Sequence, residues 1–355
     1  MSDDLFSKLF ELFDQPGPIN WKLAAEVARH LAGEREPVEP WAAEEYRELA
    51  RLAEYRIEQS APFRIAPALD VLPLDGRGWT DKNLESYAHL VEPFASSVAD
   101  GPAAPLMAQL APAIIGLQAG SLVGTLSTWA IASFDAGLPQ QPLGPLSLIV
   151  PNIAKLGSPA DADEKEVRLW VVANEVAFRA VSQLPWIHDH LDTLTSIYAD
   201  AVKIDPTKLG GMMAIGSDPA AIQEAIEEAG GIEGLLGGEE ADGPRRELEA
   251  FLGAITGCAR LIARRGLGEL VPSFDAITAV RDSQRDTEST RQPLGVGPVP
   301  AEVTQLGDKF NQEVEQRYGE DALETLWSDP SRMPTAAELR DPTGWAARVL
   351  LGGWS

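Results

Sequence analysis

No charged residue occurs between Asp100 and Asp135, and a run of that length has to be kept from water. It is long enough to cross a bilayer. Against that, it carries Pro102, Pro105 and Pro112, four glycines and two glutamines, with Ser and Thr scattered through its second half. The reading that fits is a central buried hairpin: two helical pieces broken near Pro112 or across Gly116–Gly120. Around it, apolar residues recur with the 3.6-residue helical period. Asn20 is placed to cap a helix reaching Ala32, and Pro40 to open one reaching Ser60. Thr80 or Asp81 caps a third that ends near Asp100. Leu146 to Val150 is the best strand candidate. A helix is expected over Asp163–Leu184, another from Asp218-Pro219 to Gly230-Gly231, and a loop at Glu240–Pro244 before a helix over Arg245–Arg265. Residues 281–300 (RDSQRDTESTRQPLGVGPVP) read as a mobile connection, and Ala301–Tyr318 as a last helix. The expected fold class is mainly α with little β-sheet.

The charge balance excludes some functions. A net charge of −25 repels phosphate backbones and anionic lipid, so neither nucleic acid nor a membrane surface is an expected partner. The single cysteine, Cys258, forms no internal disulfide and fits a reducing, cytoplasmic setting; it lies in an apolar helical stretch as a small buried side chain. The start, with Asp3 and Asp4, does not have the basic character of a signal peptide.

One pentapeptide stands near a known chemistry. Asn174-Glu175-Val176-Ala177-Phe178 has the spacing of H-E-x-x-H, in which two His at i and i+4 on one helix face hold zinc and the Glu activates the bound water. Here the ligand positions hold Asn174 and Phe178, and zinc prefers imidazole, thiolate or carboxylate. Glu175 precedes Arg179 by four residues, the favourable order for a helical ion pair.

The surrounding motifs give the pentapeptide its context. They are Gly17-Pro18-Ile19-Asn20-Trp21, the Ala28-Arg29 pair, the run GLQAGSLVGTLSTWAIASFDAGLP over 116–139 with Phe134-Asp135, Val150-Pro151-Asn152-Ile153 and Leu169-Trp170-Val171. Leu184-Pro185-Trp186 and His190-Leu191 follow. The end of the chain then carries Leu326-Trp327, Pro330, Met333-Pro334-Thr335, Glu338, Asp341-Pro342, Trp345 and Arg348. In this order and spacing the chain resembles a mostly actinobacterial family of zincin-like hydrolases, or zinc-dependent metalloproteases. The resemblance implies an N-terminal helical subdomain (1–105) and a zincin-like subdomain with its C-terminal tail (106–355). It also implies a third ligand, an acidic residue in an E-G step on a later helix; Thr256 stands there, before Gly257. By this resemblance all three ligand positions, Asn174, Phe178 and Thr256, are vestigial, and Glu175 is a vestigial general base.

No cofactor and no metal is therefore expected. His188 and His190 are imidazole candidates for a rescued site, but their i, i+2 spacing separates them on a helix, and His190 matches a histidine that accompanies the family's intact site. A structural histidine beside Trp186 is the expectation. His30 and His89 lie alone. No P-loop spacing occurs at Gly210-Gly211 or Gly237-Gly238, and no G-x-S-x-G is present. The expected function is that of an inactive zincin-like protein that binds a protein or peptide, an active paralogue being one such partner. The competing class is an active metallopeptidase with other ligands. Phe6, Leu9, Phe10 and Phe13 form an apolar stripe at i, i+3, i+4 and i+7, which either packs on the protein's own core or serves as an interaction helix detachable at Pro16-Gly17-Pro18.

Overall fold

The computed structural model describes residues 17–66, 70–99, 104–156, 162–202, 239–288 and 296–352. The expected helix before Pro16 and the one from Asp218 lie outside them. The described chain is mainly helical, and its one described sheet has two short strands. In order the elements are α1 (Trp21–Ala32), α2 (Ala42–Glu58), β1 (Val71–Leu74), α3 (Gly76–Asn83), α4 (Glu92–Ala99), α5 (Ala104–Trp129) and β2 (Leu146–Ile149). There follow α6 (Val150–Leu156), α7 (Glu164–Ser182), α8 (Ile187–Ala201), α9 (Glu239–Leu267), α10 (Phe274–Glu288), α11 (Ala301–Tyr318), α12 (Glu320–Leu326) and α13 (Pro342–Ala346).

Several boundaries follow from local chemistry. The Asn20 side chain accepts from Leu23 N–H at 3.0 Å and starts α1. Asp163 accepts from Lys165 N–H at 2.8 Å and starts α7. The expected third helix is instead three pieces: Asp75, not Thr80, caps α3, a 3-10 turn covers Leu84–Leu90, and α4 ends the segment. The predicted loop before Arg245 is also helical, since α9 begins at Glu239 and takes in Pro244. The strand read at Leu146 is present and pairs in parallel with β1, Val71 opposite Leu146. β1 was obscured by Pro73, a residue that counts against strands.

Within the charge-free run, Ala104–Trp129 is one unbroken helix, α5, and no described helix is long and apolar enough to cross a membrane. Pro112 lies inside the helix, and its carbonyl accepts from Asn20 N–H at 2.8 Å, which joins α1 to α5 at that point. The glycines do not break it either. A Cβ on Gly116 or Gly120 would lie 2.5 Å from the carbonyl oxygens of Asn20 or Ala24, so the stripe exists to let α1 lie directly on α5. Beyond Trp129 the chain turns, and Asn152 Nδ2 donates to the carbonyls of Ser127 (3.2 Å) and Ala130 (2.8 Å) at the helix end.

The centre of the molecule is α7. From Val167 to Ser182 nearly every side chain is buried, and the helix packs against α2, α6, α9 and α10. A second glycine contact fixes α9 against α11. Asn311 of α11 donates to the carbonyls of Ala254 (3.1 Å) and Gly307 (2.8 Å) and accepts from Trp327 Nε1 at 3.2 Å. The C-terminal motif residues form a clasp over this pair. Arg348 holds Glu338 by two 2.7 Å bonds and the carbonyls of Ser331 and Met333, while buried Trp345 packs edge-on against Phe310.

A Cβ on Gly307 would sit 1.9 Å from the Gly253 carbonyl oxygen. Gly307→Ala is therefore expected to force α9 and α11 apart and lower stability by about 3 kcal/mol, measured by urea unfolding. Gly144→Ala, with open space around the position, is the matched control expected to change little.

Candidate functional site

The segment from Ile131 to Asp135, between α5 and β2, forms one wall of the site. Ile149 N–H donates to Ile131 O at 2.8 Å, Ser133 N–H to Ser147 O at 3.1 Å, and Ala132 bridges Leu148 in antiparallel sense. Tyr87 Oη donates to Ser133 O at 2.6 Å and Trp79 Nε1 to Ser133 Oγ at 3.3 Å, so the segment is held from both sides. α7 supplies the facing wall, and α9 and α10 close the cavity.

The structure brings the four sequence-predicted positions together. Asn174, Glu175, Phe178 and Thr256 line one cavity of about 40 Å³. Their side chains are engaged otherwise than in holding metal. Phe178 stacks on Phe134, ring centres 4.9 Å apart and planes 11° from parallel. Asn174 Nδ2 donates to Trp170 O at 2.8 Å, and Thr256 Oγ1 to Leu252 O at 2.9 Å. Both oxygens of Glu175 accept from the Phe134 N–H, each at 3.1 Å.

Glu175 overturns one expectation. It is 3% exposed and pairs with the Phe134 backbone; Arg179, instead of forming the helical ion pair, donates to Gly144 O. Burial pushes the Glu175 carboxyl well above its ordinary range; the Phe134 hydrogen bond opposes this and the nearby Asp135 charge adds to it. Burial therefore favours the protonated form, and a protonated carboxyl cannot serve as a general base.

The residues that sequence reading missed are arginines. Arg260, Arg281 and Arg285 also line the cavity. Arg281 Nε donates to Asp135 Oδ1 at 3.1 Å, with a second short bond to Oδ2, and its guanidinium lies 5.3 Å from the Trp129 ring centre. Arg260 pairs in the same bidentate way with Asp282. Burial alone would raise Asp135, but the Arg281 guanidinium outweighs it and holds the carboxyl below its usual range. Residues 281–288, read as the start of a mobile connection, are the end of α10, and Arg281, Asp282 and Arg285 are buried there. The signal was available: Phe274, Ile277, Thr278, Arg281 and Arg285 follow at helical spacing, so the arginines continue an apolar stripe.

A zinc ion, which the resemblance implies, does not fit this donor set. Asn174, Phe178 and Thr256 offer neither imidazole, thiolate nor carboxylate, and three guanidiniums face the same space. Among the described residues no group of three or more His, Cys, Asp and Glu is arranged to hold a metal. His188 and His190 do not line the cavity. His190 lies edge-on to Phe251 with ring centres 4.8 Å apart and near Trp186, as expected of a structural histidine. Cys258 is fully buried, and burial pushes its thiol well up.

Two outcomes test this arrangement. Phe178→Ala should cost about 3–5 kcal/mol in urea unfolding, because it empties a stacked, buried site. Glu175 binds its proton more tightly folded than unfolded, so the stability it contributes is full below the unfolded carboxyl range and is lost as pH rises through the raised folded value. Glu175→Gln should remove a downward slope of up to about 1.4 kcal/mol per pH unit over that window, measured by urea unfolding at stepped pH.

A search of curated proteins finds no match. A crystal structure from Chloroflexus aurantiacus, of a protein proposed to be a hydrolase and described as having a novel fold, superposes with a TM-score of 0.65 at 19% identity. It covers 95% of this chain and 99% of its own, and shows a shared fold. The family model for the zincin-like metallopeptidases matches residues 19–346, and the chain belongs to that family.

Proposed function

We propose that this protein is a zincin-like metallopeptidase homologue that works without metal catalysis, by binding a protein or peptide. The observation that carries the reading is the use made of the ligand positions: Phe178 is spent on a ring stack with Phe134, and Glu175 on the Phe134 backbone. Each of these contacts would have to be dismantled before a zinc-bound water could be held and activated. The cavity of about 40 Å³ has room for a few waters and none for a peptide. Binding is therefore assigned to the outer surface. A hollow of about 320 Å³ lies between residues 36–46 and helices α6 and α7. Pro37, Trp41, Tyr46, Pro151 and Ile153 give it an apolar floor, and Glu36, Glu39 and Glu164 an acidic rim. Trp41 is 47% exposed and lies under the Arg168 guanidinium, 5.1 Å from the ring centre. An exposed tryptophan in a hollow is a common anchor for a partner segment, and the rim favours one carrying basic residues. An active paralogue is one partner class, and the cytoplasm the proposed setting.

The protein is expected to purify without stoichiometric zinc and to keep its melting temperature in chelator, since no metal binding is linked to folding. About one tightly held zinc per chain in elemental analysis contradicts the reading. The triple change Asn174→His, Phe178→His and Thr256→Glu puts two imidazoles and a carboxylate at three positions that already line one cavity, and is expected to create one zinc site beside the guanidiniums, two of which are paired with Asp135 and Asp282. Trp41→Ala is expected to weaken partner capture about tenfold or more with an unchanged melting temperature. Equal capture by wild type and variant would move the binding surface elsewhere.

A further inference from the structure

The hollow beside Trp41 narrows what can occupy it. Its walls are fixed before any partner arrives. Arg168 of α7 bonds Glu45 of α2 at 2.8 Å and Glu164 at 2.7 Å, and its guanidinium covers one face of the Trp41 ring. Glu36 N–H donates to Asp75 Oδ2 at 3.0 Å, which pins the segment leading to Trp41. Three carboxylates, those of Glu36, Glu39 and Glu164, line the space against one guanidinium, that of Arg168. Each way of recognising a chain segment makes its own demand on such a surface. Strand addition needs a row of free backbone donors and acceptors. Neither β1 nor β2 lines the hollow, and Pro37 and Pro40 have no N–H to offer. A docked helix needs more room, since one turn with its side chains fills about 400 Å³ at a diameter of about 10 Å and a pitch of about 5.4 Å. The hollow holds about 320 Å³. A polyproline II segment needs only a short run of flat apolar surface, and exposed Pro37, half-buried Pro151 and the indole of Trp41 supply one.

We propose that this hollow docks a proline-rich segment of the partner in polyproline II conformation, its prolyl rings on Trp41, Pro37 and Pro151 and a flanking arginine or lysine facing Glu36 and Glu39. The inference rests on the binding reading above and names the chemistry of the occupant. Prolyl residues are already ordered in this conformation, so a small site can hold them without a large entropy cost. The surplus of carboxylates sets the sign of the flanking charge, and because Glu36 and Glu39 are exposed, their attraction weakens as salt rises.

Fluorescence anisotropy of the full chain is measured with a labelled peptide of alternating proline and leucine flanked by arginines. Two further peptides serve as comparisons, one with every proline changed to alanine and one with the arginines changed to glutamates. Wild type is expected to bind the proline–arginine peptide about tenfold or more tightly than either. Trp41→Ala is expected to lose about tenfold or more of that affinity. Glu36→Lys combined with Glu39→Lys is expected to lose a similar factor and to gain affinity for the glutamate-flanked peptide. Glu320→Lys combined with Glu324→Lys, at exposed positions of α12 outside the hollow, is expected to change little, which separates the site from the net charge of −25. No binding of the proline peptide by wild type, equal binding of the alanine peptide, or equal loss in the two charge-reversed variants overturns the proposal. Should Trp41→Ala not fold, the charge-reversed variants decide. Elemental analysis of the same samples keeps the two readings apart. Tightly bound zinc defeats the metal-free reading itself, whereas a zinc-free protein that captures a partner but not the proline peptide defeats this inference alone.

Discussion

The contact on which the rest depends is the carboxyl of Glu175 accepting the backbone N–H of Phe134. It joins the most buried helix, α7, to the segment that follows α5, and that segment is hydrogen-bonded to β2 and clamped by Tyr87 and Trp79. One side chain therefore ties the central helix, the small sheet and the long helix into a single core. The ring stack of Phe178 on Phe134, one turn along, seals the same joint with apolar surface. Burial opposes ionisation of a carboxyl in such a position, and its two oxygens serve as structural acceptors.

The polarity of the site follows from the same economy of space. A zincin cavity without its ligands would leave a polar void beside buried charges. Here the void is narrowed by Phe178 and bounded by arginines whose carboxylate partners come from the segment at 135 and from α10. Buried bidentate pairs of this sort are weak sources of stability, because desolvation cancels most of their attraction, but they fix geometry. In this chain they orient α10 against the wall that carries Phe134.

Much of the fold was legible because it rests on short-range signals. Asn20 and Asp163 announce helix starts, α11 spans the stretch read for it, and Leu146 marks its strand. The joining of Asn174, Glu175, Phe178 and Thr256 at one cavity was likewise foreseen from motif order. What failed depended on partners distant in sequence. Pro112 and the glycines of α5 read as breaks, yet the helix runs through them, with α1 lying in the glycine groove and Asn20 N–H bonded to the Pro112 carbonyl. Glu175 read as one half of a surface ion pair with Arg179, yet the backbone of residue 134, 41 positions away, claims it. The polar run at 281–288 read as a linker because its charges looked solvated, whereas two of them, Arg281 and Asp282, pair inside the core with Asp135 and Arg260.

The account turns on the protonation state of Glu175, and infrared difference spectroscopy reads that state directly. In the wild-type minus Glu175→Gln spectrum at neutral pH, the account predicts the C=O stretch of a protonated carboxylic acid, persisting well above the pH at which an ordinary glutamate ionises. A difference spectrum showing only the antisymmetric stretch of a carboxylate would contradict it, and would return Glu175 to the role of a charged base.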